Sequence, residues 1–394
     1  MTHDTTSKRA RSEIARAAAD HAEAFASGGG AKALIGFDGF VDSIIHLVAQ
    51  RSSMELDDFE RLATIPAFAT RVGMAAGKSA NIEMVVREQR FGGNGPLMAG
   101  AMGRLGVGVT YIGAVGQEDA PETLSPIYEP FAARCERVIP IAAPGYTDAL
   151  EFEDGKLMLG KPQNIQGVTW ERLKETVGLE AIAGYCRGAA VLGVVNWVMM
   201  GGVEGIWRGL MEDVLARMDE ADRPRVFIDL CDPAKRTDED VSRALGVIRD
   251  LNGVAPVTLG LNLAESQRIA TVAGASPFDD SHNSGLGHAV TETAESIRAT
   301  LGLDTVVVHP REGAAAARAD ESAWFEGPFT REPKLSTGAG DHFNGGFAFG
   351  QAAGMALDEC LACGTGVSGA YVRDAESPSC ERLVEFLRDL PAPA

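Results

Sequence analysis

The sequence is short of basic residues relative to acidic ones. Its 394 residues include 36 Lys and Arg against 55 Asp and Glu, which gives a formal net charge of −19. Nucleic acids and anionic membranes are bound through Lys and Arg, whose charges release counterions. We therefore expect neither nucleic acid nor a membrane surface as a partner. A phosphorylated ligand stays compatible with this charge, because backbone amides and a divalent metal supply positive potential locally.

Disulfide-type cysteine patterns and long apolar runs are also absent from the sequence. The six cysteines are scattered along the chain, and the first residues carry no apolar signal segment. The longest apolar run, residues 188–202, is too short for a membrane span and contains Asn196. Cys360 and Cys363 have no second pair beside them, so we expect buried core thiols. We expect a reduced, cytoplasmic protein without a transmembrane helix.

Short apolar runs that alternate with amphipathic stretches are the main pattern present. Residues 203–220 and 287–302 have apolar side chains at helical spacing. The runs that read as buried parallel strands are residues 31–37, 109–115, 189–196, 225–230, 256–261 and 304–309. This alternation predicts an α/β fold with a doubly wound sheet.

Two segments do not follow this alternation of strands and helices, and they define the predicted domain organisation. Residues 8–26 predict a helix that ends at a glycine linker, so residues 1–30 are expected to form an N-terminal helical arm on a main domain of residues 31–394. Residues 147–160 contain Asp154-Gly155 between two extended runs, a hairpin signal. We expect a small β lid built from parts of 42–91 and 146–161.

The stretch KLSTGAGDHFNGG, residues 334–346, combines a glycine-rich turn with one carboxylate before a predicted helix. Gly338, Ala339 and Gly340 leave backbone N–H groups free to face an anion, and the helix N-terminus adds positive potential. A carboxylate beside such a cradle, here Asp341, suits a general base that takes a proton from an attacking hydroxyl. The alternative is a helix-capping aspartate after a turn.

Two further stretches lie upstream. FGGNGPLMAGAMGRLGVGVTYIGAVGQED, residues 91–119, opens with Gly92 and Gly93, which let the backbone approach a ligand closely, and with Asn94, whose amide both donates and accepts. The alternative for these glycines is a tight turn before a helix. GFDGFVDSI, residues 36–44, carries two aspartates near the end of the first predicted strand.

Together these motifs resemble the signatures of the ribokinase (PfkB carbohydrate kinase) family, from about residue 32 onward. The resemblance implies a ribokinase-like three-layer αβα sandwich with a mostly parallel doubly wound sheet and a small β lid. It also implies an ATP-dependent kinase that transfers the γ-phosphoryl group to a hydroxyl of a sugar or sugar-like substrate. Lids in this family often pair, so a homodimer through the lid is expected.

The resemblance carries roles over to individual residues. It implies that the amides of Gly338, Ala339 and Gly340 form the anion hole and that Asp341 is the base. The expected acceptor contacts are Asp42, with Asp38 as the competing candidate, Gly92, Gly93 and Asn94. The Asn-x-x-Glu pair Asn262 and Glu265 is expected to orient Mg²⁺ largely through water, although the same pair is also an ordinary helix cap. The expected nucleotide contacts are Thr337, Asn344, His309, Arg311 and Gly313.

The sequence also departs from the family pattern. VVVHPREGAAAA, residues 306–317, replaces the usual threonine region with His309-Pro310, which weakens the nucleotide assignment, and Leu97 stands where many members carry a substrate-binding asparagine. Other hypotheses therefore stay open: a nucleoside, vitamin or ADP-dependent kinase of the same superfamily, or a non-catalytic sugar-binding regulator. A dinucleotide oxidoreductase built on Gly364–Gly369 is disfavoured, because those glycines read as close helix packing.

Overall fold

Two β-sheets and their flanking helices make up the part of the chain that the computed structural model describes, residues 8–28, 30–279 and 285–393. The strands are β1 (Lys32–Phe37), β2 (Phe40–Arg51), β3 (Phe59–Arg61), β4 (Met84–Gly92), β5 (Gly108–Gly113), β6 (Arg137–Pro140), β7 (Gly145–Phe152), β8 (Gly155–Lys161), β9 (Ala189–Val195), β10 (Arg225–Asp229), β11 (Val257–Leu261), β12 (Thr305–Val308), β13 (Gly313–Ala317) and β14 (Ser322–Glu326). The helices are α1 (Lys8–Gly28), α2 (Ile65–Gly73), α3 (Asn94–Arg104), α4 (Glu129–Ala132), α5 (Trp170–Thr176), α6 (Leu179–Arg187), α7 (Val203–Gly209), α8 (Asp238–Asn252), α9 (Leu263–Ala273), α10 (Leu286–Leu301), α11 (Ala339–Ala352), α12 (Leu357–Asp374) and α13 (Cys380–Arg388).

The large sheet has the strand order β14-β13-β12-β11-β10-β9-β1-β5-β6. All neighbours from β12 to β6 are parallel, while β13 and β14 add an antiparallel edge. The chain builds outward from β1 to β5 and β6, and later in the opposite direction from β9 to β12. The six predicted strand runs correspond to β1, β5, β9, β10, β11 and β12.

Helices cover both faces of this sheet and produce two separate cores. Successive side chains of β1 alternate between them, with Leu34 packed into one core and Ile35 into the other. The first core lies under α5 to α10 and the second under α1, α3, α11, α12 and α13. Because both faces are covered, the strands are continuously apolar. The predicted three-layer α/β architecture is confirmed.

A second, five-stranded sheet is built from the segments that the sequence predicts for the lid, and it is called the lid sheet below. β2 pairs with β4 and β3 on one side and with β7 on the other, and β7 continues into β8 through the predicted Asp154-Gly155 turn. The outer side has its own small core, which includes Ile45, Leu150 and Phe152. β2 is a twelve-residue strand that the mixed pattern of residues 42–91 did not reveal.

The helix predicted over 8–26 is present as α1, in which Ala15, Ala18 and Ala22 are fully buried, and it packs against α12 and α13. One helical segment differs from the sequence-based expectation. The helix predicted over 203–220 ends early, at Gly209, and continues as a π-helical and then a 3₁₀ turn. The widened turn lies where the Trp170 indole donates to Asp213 at 2.9 Å. Within the described ranges, none of the helices combines the length and apolarity that a bilayer crossing requires.

Candidate active site

Polar residues stand at the carboxyl ends of neighbouring strands in the large sheet. Asp38 follows β1, Asn196 follows β9 and Asp229 ends β10. Asn262 follows β11 and His309 follows β12. Parallel strands end at one edge of the sheet, and β1 and β9 are the strands between which the chain reverses its direction of growth. This is the usual place for a ligand in an open α/β sheet.

The glycine-rich turn opens α11 at the same edge. Gly338 is the N-cap with φ of 85°, a left-handed conformation that favours glycine. A Cβ atom there would also lie 3.0 Å from Cδ1 of Leu97. The N–H of Ala339 donates to Ser336 O at 3.2 Å, so the proposed anion hole depends mainly on the amides of residues 338 and 340. The first N–H groups of a helix have no intrahelical partner.

Asp341 lies in the first turn of α11 and is 9% exposed. Its Oδ1 atom accepts a hydrogen bond from Nδ2 of Asn94 at 2.7 Å, which joins the second glycine motif to the first. Burial raises the pKa of Asp341 well above its usual range, and the negative charges of Asp229, Asp38 and Glu265 raise it further. A carboxylate with a raised pKa is a stronger base.

The two competing aspartates occupy different environments. Asp38 is completely buried and accepts from the N–H of Asn94 at 2.9 Å, the N–H of Gly95 at 2.8 Å and Nδ2 of Asn196 at 2.7 Å. Burial raises the pKa of Asp38 to about 6 despite these bonds. Its hydrogen bonds satisfy the first two N–H groups of α3 and fix the glycine loop.

Asp42 lies on β2 and is less enclosed than Asp38. It is paired across the sheet with Arg90 on β4 and Thr147 on β7. Burial raises the pKa of Asp42, while the hydrogen bond from Thr147 lowers it. A Cβ atom on Gly92 would lie 2.5 Å from Oδ2 of Asp42, so a side chain at this position would force the carboxylate to move.

Asp229 is a residue of this edge that the motif analysis missed. It is buried and accepts from Nδ2 of Asn344 at 2.5 Å and from the N–H of Cys231 at 2.7 Å. Burial raises the pKa of Asp229 to about 6. Asn344 is therefore held in the buried layer under the site and is absent from the residues that line the adjacent cleft. An acid at the end of the predicted strand 225–230 was the available signal.

Asn262 and Glu265 form a capping box at the start of α9. The N–H of Glu265 donates to Oδ1 of Asn262 at 2.9 Å, and the N–H of Asn262 donates to Oε2 of Glu265 at 2.8 Å. Oε1 of Glu265 accepts from the N–H of Asp232 at 3.0 Å. Burial raises the pKa of Glu265 to about 7, and the nearby charge of Asp229 contributes. The pair is thus a helix cap whose carboxylate faces further negative charge.

A cleft of about 650 Å³ borders the start of α11 on the other side. His309, Arg311 and Gly313, three of the residues expected to contact a nucleotide, line it together with Ser336 and Gly340. Burial lowers the pKa of His309 to about 4, so its ring is neutral at physiological pH, and it stacks on Phe343 with centroids 4.5 Å apart. Thr337 adjoins the cleft, and its carbonyl accepts from the Tyr371 hydroxyl at 2.8 Å.

Two further sequence features have structural roles. The glycines of 364–369 lie within α12, where a Cβ atom on Gly364 would lie 2.7 Å from the Phe343 ring, so they serve close helix packing. Cys360 and Cys363 are buried free thiols, as expected. His342, next to Asp341, is buried and stacks on Tyr371 with ring centroids 3.6 Å apart.

Comparisons with known proteins agree with this geometry. A family model described as prokaryotic ketohexokinase matches residues 8–390. A curated ketohexokinase of Haloferax volcanii is 29% identical over 361 residues, which cover 91% of each chain. Arabidopsis thaliana ribokinase, solved with ribose and ATP, has a TM-score of 0.60 at 14% identity, covering 91% of this chain and 99% of that one. A mutant phosphofructokinase-2 of Escherichia coli gives 0.59 at 15% identity, covering 91% and 99%.

Proposed function

Because the chain belongs to the prokaryotic ketohexokinase family, and is thereby a carbohydrate kinase, we propose that it transfers the γ-phosphoryl group of ATP to a hydroxyl of a ketohexose. The observation that carries the proposal is the position of Asp341. Its carboxylate bonds to Asn94 of the acceptor loop, while the adjacent Gly340 lines the cleft. A base between an acceptor loop and an anion-binding helix terminus is the arrangement that phosphoryl transfer needs.

The acceptor side is formed by the lid and the glycine loop. We assign the substrate hydroxyl contacts to Asp42 and Asn94, with Gly92 and Gly93 allowing the sugar to approach the backbone. Asp42 is preferred over Asp38 because the three hydrogen bonds to Asp38 come from the protein itself. The lid sheet then encloses the sugar and excludes water, which protects ATP from hydrolysis.

The donor side is formed by the cleft and the start of α11. His309, Arg311 and Gly313 contact the nucleotide, and Thr337 adjoins the phosphates. The amides of residues 338 and 340 donate to the oxygens of the transferring group, aided by the positive end of α11. Asp341 removes the proton of the attacking hydroxyl, a contribution of about 10²- to 10⁴-fold.

The oxygen donors at the acidic end of this site fit Mg²⁺. Among the described residues, no three His, Cys, Asp or Glu side chains are arranged to hold a metal ion directly. Mg²⁺ retains several waters and takes few protein ligands, so Asn262 and Glu265 would hold it through water. When bound, magnesium neutralises phosphate charge. The carboxylates that raise the pKa of Glu265 and Asp341 favour a cation at this place.

The lid carries an exposed apolar surface, and we assign it to a homodimer contact. All the strongly exposed large apolar side chains of the described residues belong to the lid: Met54, Leu56, Val72, Met74, Met84, Val86, Met158 and Leu159. Met54 is 87% and Met74 is 68% exposed. Apolar surface concentrated in one region is typical of a protein–protein contact. A second copy of the lid is the partner that the family resemblance favours.

A donor and acceptor panel tests the proposed function. Purified protein is incubated with Mg²⁺, with ATP or ADP, and with fructose, other ketoses, aldoses or nucleosides, and phosphorylated products are identified by ³¹P NMR. We expect ATP-dependent phosphorylation of a ketohexose. Nucleoside phosphorylation or a strict ADP requirement would replace the proposal with the corresponding kinase. Ligand-induced thermal stabilisation without any phosphorylated product would indicate a binding protein.

A further inference from the structure

The inner face of the lid carries a cation next to the acceptor carboxylate. In an antiparallel pair, directly opposed residues project from the same face of the sheet. Arg90 on β4 is opposite Asp42 on β2, and Asp42 in turn neighbours Thr147 on β7. The guanidinium therefore shares the face on which the acceptor is expected to lie, two residues before the Gly92-Gly93 loop.

Arg90 is held by a replaceable partner. Its Nε and Nη2 atoms each donate to an oxygen of Glu88 at 2.6 Å. Glu88 is two residues away on the same strand, and the side chains are 46% and 50% exposed. An exposed ion pair of this kind contributes little to stability and is easily exchanged for another anion. The bidentate geometry it displays is also the geometry by which arginine binds phosphate.

Arg90 lies within electrostatic reach of both sides of the site. Burial raises the pKa of Asp42 on the acceptor side, and the charge of Arg90 opposes that rise. Burial likewise raises the pKa of Tyr371 to about 12 against an opposing effect of Arg90, and the Tyr371 hydroxyl donates to the Thr337 carbonyl directly before the anion-binding turn. The guanidinium thus lies within electrostatic reach of the acceptor carboxylate and of the loop that opens α11.

The floor of the site, in contrast, is strongly acidic. Burial raises the pKa of Asp341, and the charges of Asp229 and Asp38 raise it further; Asp38 also adds to the rise that burial causes at Asp229. A cation on the opposite side stabilises a phosphoryl group that is transferred next to these carboxylates, because the negative charge on its oxygens must be balanced where water is excluded. The lid is the element that brings a cation to that place.

We propose that Arg90 is a catalytic residue of the lid, and that on closure its guanidinium leaves Glu88 and donates two hydrogen bonds to the phosphoryl group in transit. The inference rests on the proposed kinase function. In the transfer step the acceptor oxygen forms a bond to the γ-phosphorus, the bond from that phosphorus to the bridging oxygen of ATP breaks, and the hydroxyl proton passes to Asp341. Arg90 stays protonated throughout.

Replacement of Arg90 distinguishes a role in phosphoryl transfer from a role in sugar binding. Arg90→Met should lower kcat by about 10²- to 10³-fold, the loss typical of one missing transition-state donor, with little change in the KM of the sugar. Arg90→Lys keeps the positive charge but loses the planar guanidinium that donates two parallel hydrogen bonds, so its kcat should lie between those of the wild type and Arg90→Met. Arg87→Met is the matched control, because Arg87 lies on the same strand and pairs with exposed Asp57. It should behave as wild type.

Two further measurements exclude a structural role. Glu88→Gln removes the ion pair but leaves the guanidinium, so kcat should be retained, whereas a structural pair would give the same loss as Arg90→Met. In Arg90→Ala, added guanidinium ion should restore part of kcat while ammonium should not. The melting temperature should be unchanged in all variants.

The results distinguish failure of the role assigned to Arg90 from failure of the proposed kinase function. Wild-type kcat in Arg90→Met, or an increase only in the KM of the sugar, overturns the catalytic role while the kinase assignment stands. Absence of turnover in the wild-type protein for every donor and acceptor overturns the proposed function, and this inference with it.

Discussion

The side-chain amide of Asn94 donates to the carboxylate of Asp341 at 2.7 Å, although 247 positions separate them in the chain. The contact links the loop after β4 with the first turn of α11. Taken alone, each of the two motifs also has a purely structural interpretation, as a turn or as a helix cap. Their contact brings both motifs to one place at the carboxyl edge of the sheet.

The base assignment predicts a selective loss of turnover in Asp341→Asn. The amide retains an oxygen that accepts from Asn94 but takes no proton, so kcat should fall by at least about 10²-fold while the KM of the sugar changes little. Steady-state kinetics test this, with the melting temperature as a control for folding. Near-normal turnover would show that another group is the base.

The close approach of Gly92 to Asp42 predicts a defect on the acceptor side. Gly92→Ala places a methyl group 2.5 Å from the carboxylate and must displace it. The KM of the sugar should rise roughly tenfold, equivalent to about 1.4 kcal/mol, with the KM of ATP unchanged. Gly246→Ala in α8 is the control, because its Cβ atom meets nothing within 4 Å. An equal rise in both KM values would contradict the assignment of this loop to the acceptor.

The anion-hole assignment predicts a defect on the nucleotide side, rather than the acceptor side, in Gly340→Ala. The new Cβ atom would lie 3.6 Å from Cε1 of His309, an ordinary contact, so the fold accommodates it. The methyl group nevertheless narrows the cleft beside the amide at residue 340. The KM of ATP should rise and kcat should fall, each at least roughly tenfold, about 1.4 kcal/mol. Gly184→Ala, whose Cβ atom is also free of contacts, should be unaffected.

The buried charge of Asp229 predicts a gain in stability in Asp229→Asn. The pKa of this carboxyl is about 6 in the folded protein against an ordinary 3.8. The folded state therefore binds more protons between these values, and the free energy of unfolding falls as pH rises through that window. The asparagine removes this cost and donates to Oδ1 of Asn344, a buried atom without a hydrogen-bond partner, once that amide rotates.

At pH 7.5 we expect the free energy of unfolding of Asp229→Asn to exceed that of the wild type by about 1 to 3 kcal/mol. This difference should shrink as the pH is lowered toward about 4. Urea titrations of the unliganded protein at several pH values measure this. A variant less stable than wild type at pH 7.5 would show that the ionised carboxylate stabilises the fold.

The exposed apolar side chains of the lid predict a self-association that charge disrupts. A Met54→Glu, Met74→Glu double variant should be monomeric, because it buries carboxylates in the contact, whereas the wild-type protein should be dimeric in sedimentation velocity. Ala216→Glu, at an exposed position of the main domain, should leave the dimer intact. A monomeric wild-type protein would rule out the lid contact.

The sequence by itself determined the layered α/β class, six of the parallel strands, the α11 glycine turn and the family. These follow from local patterns, because a strand covered on both faces must be apolar throughout and a close backbone approach requires glycine. The hairpin of β7 and β8 was likewise predictable from its Asp-Gly turn.

Only the tertiary structure showed that the carboxylate of Asp38 is enclosed by hydrogen bonds from the protein while Asp42 is less enclosed, brought Asp229 and Asn196 to the same edge of the sheet, and set Arg90 opposite Asp42. The mixed pattern of residues 42–91 hid β2, because one face of that strand covers the small lid core while the other carries polar groups. The local sequence alone does not fix which strand pairs with which or in what register. Those pairings depend on contacts between residues far apart in the chain, and they determine which charges share a face.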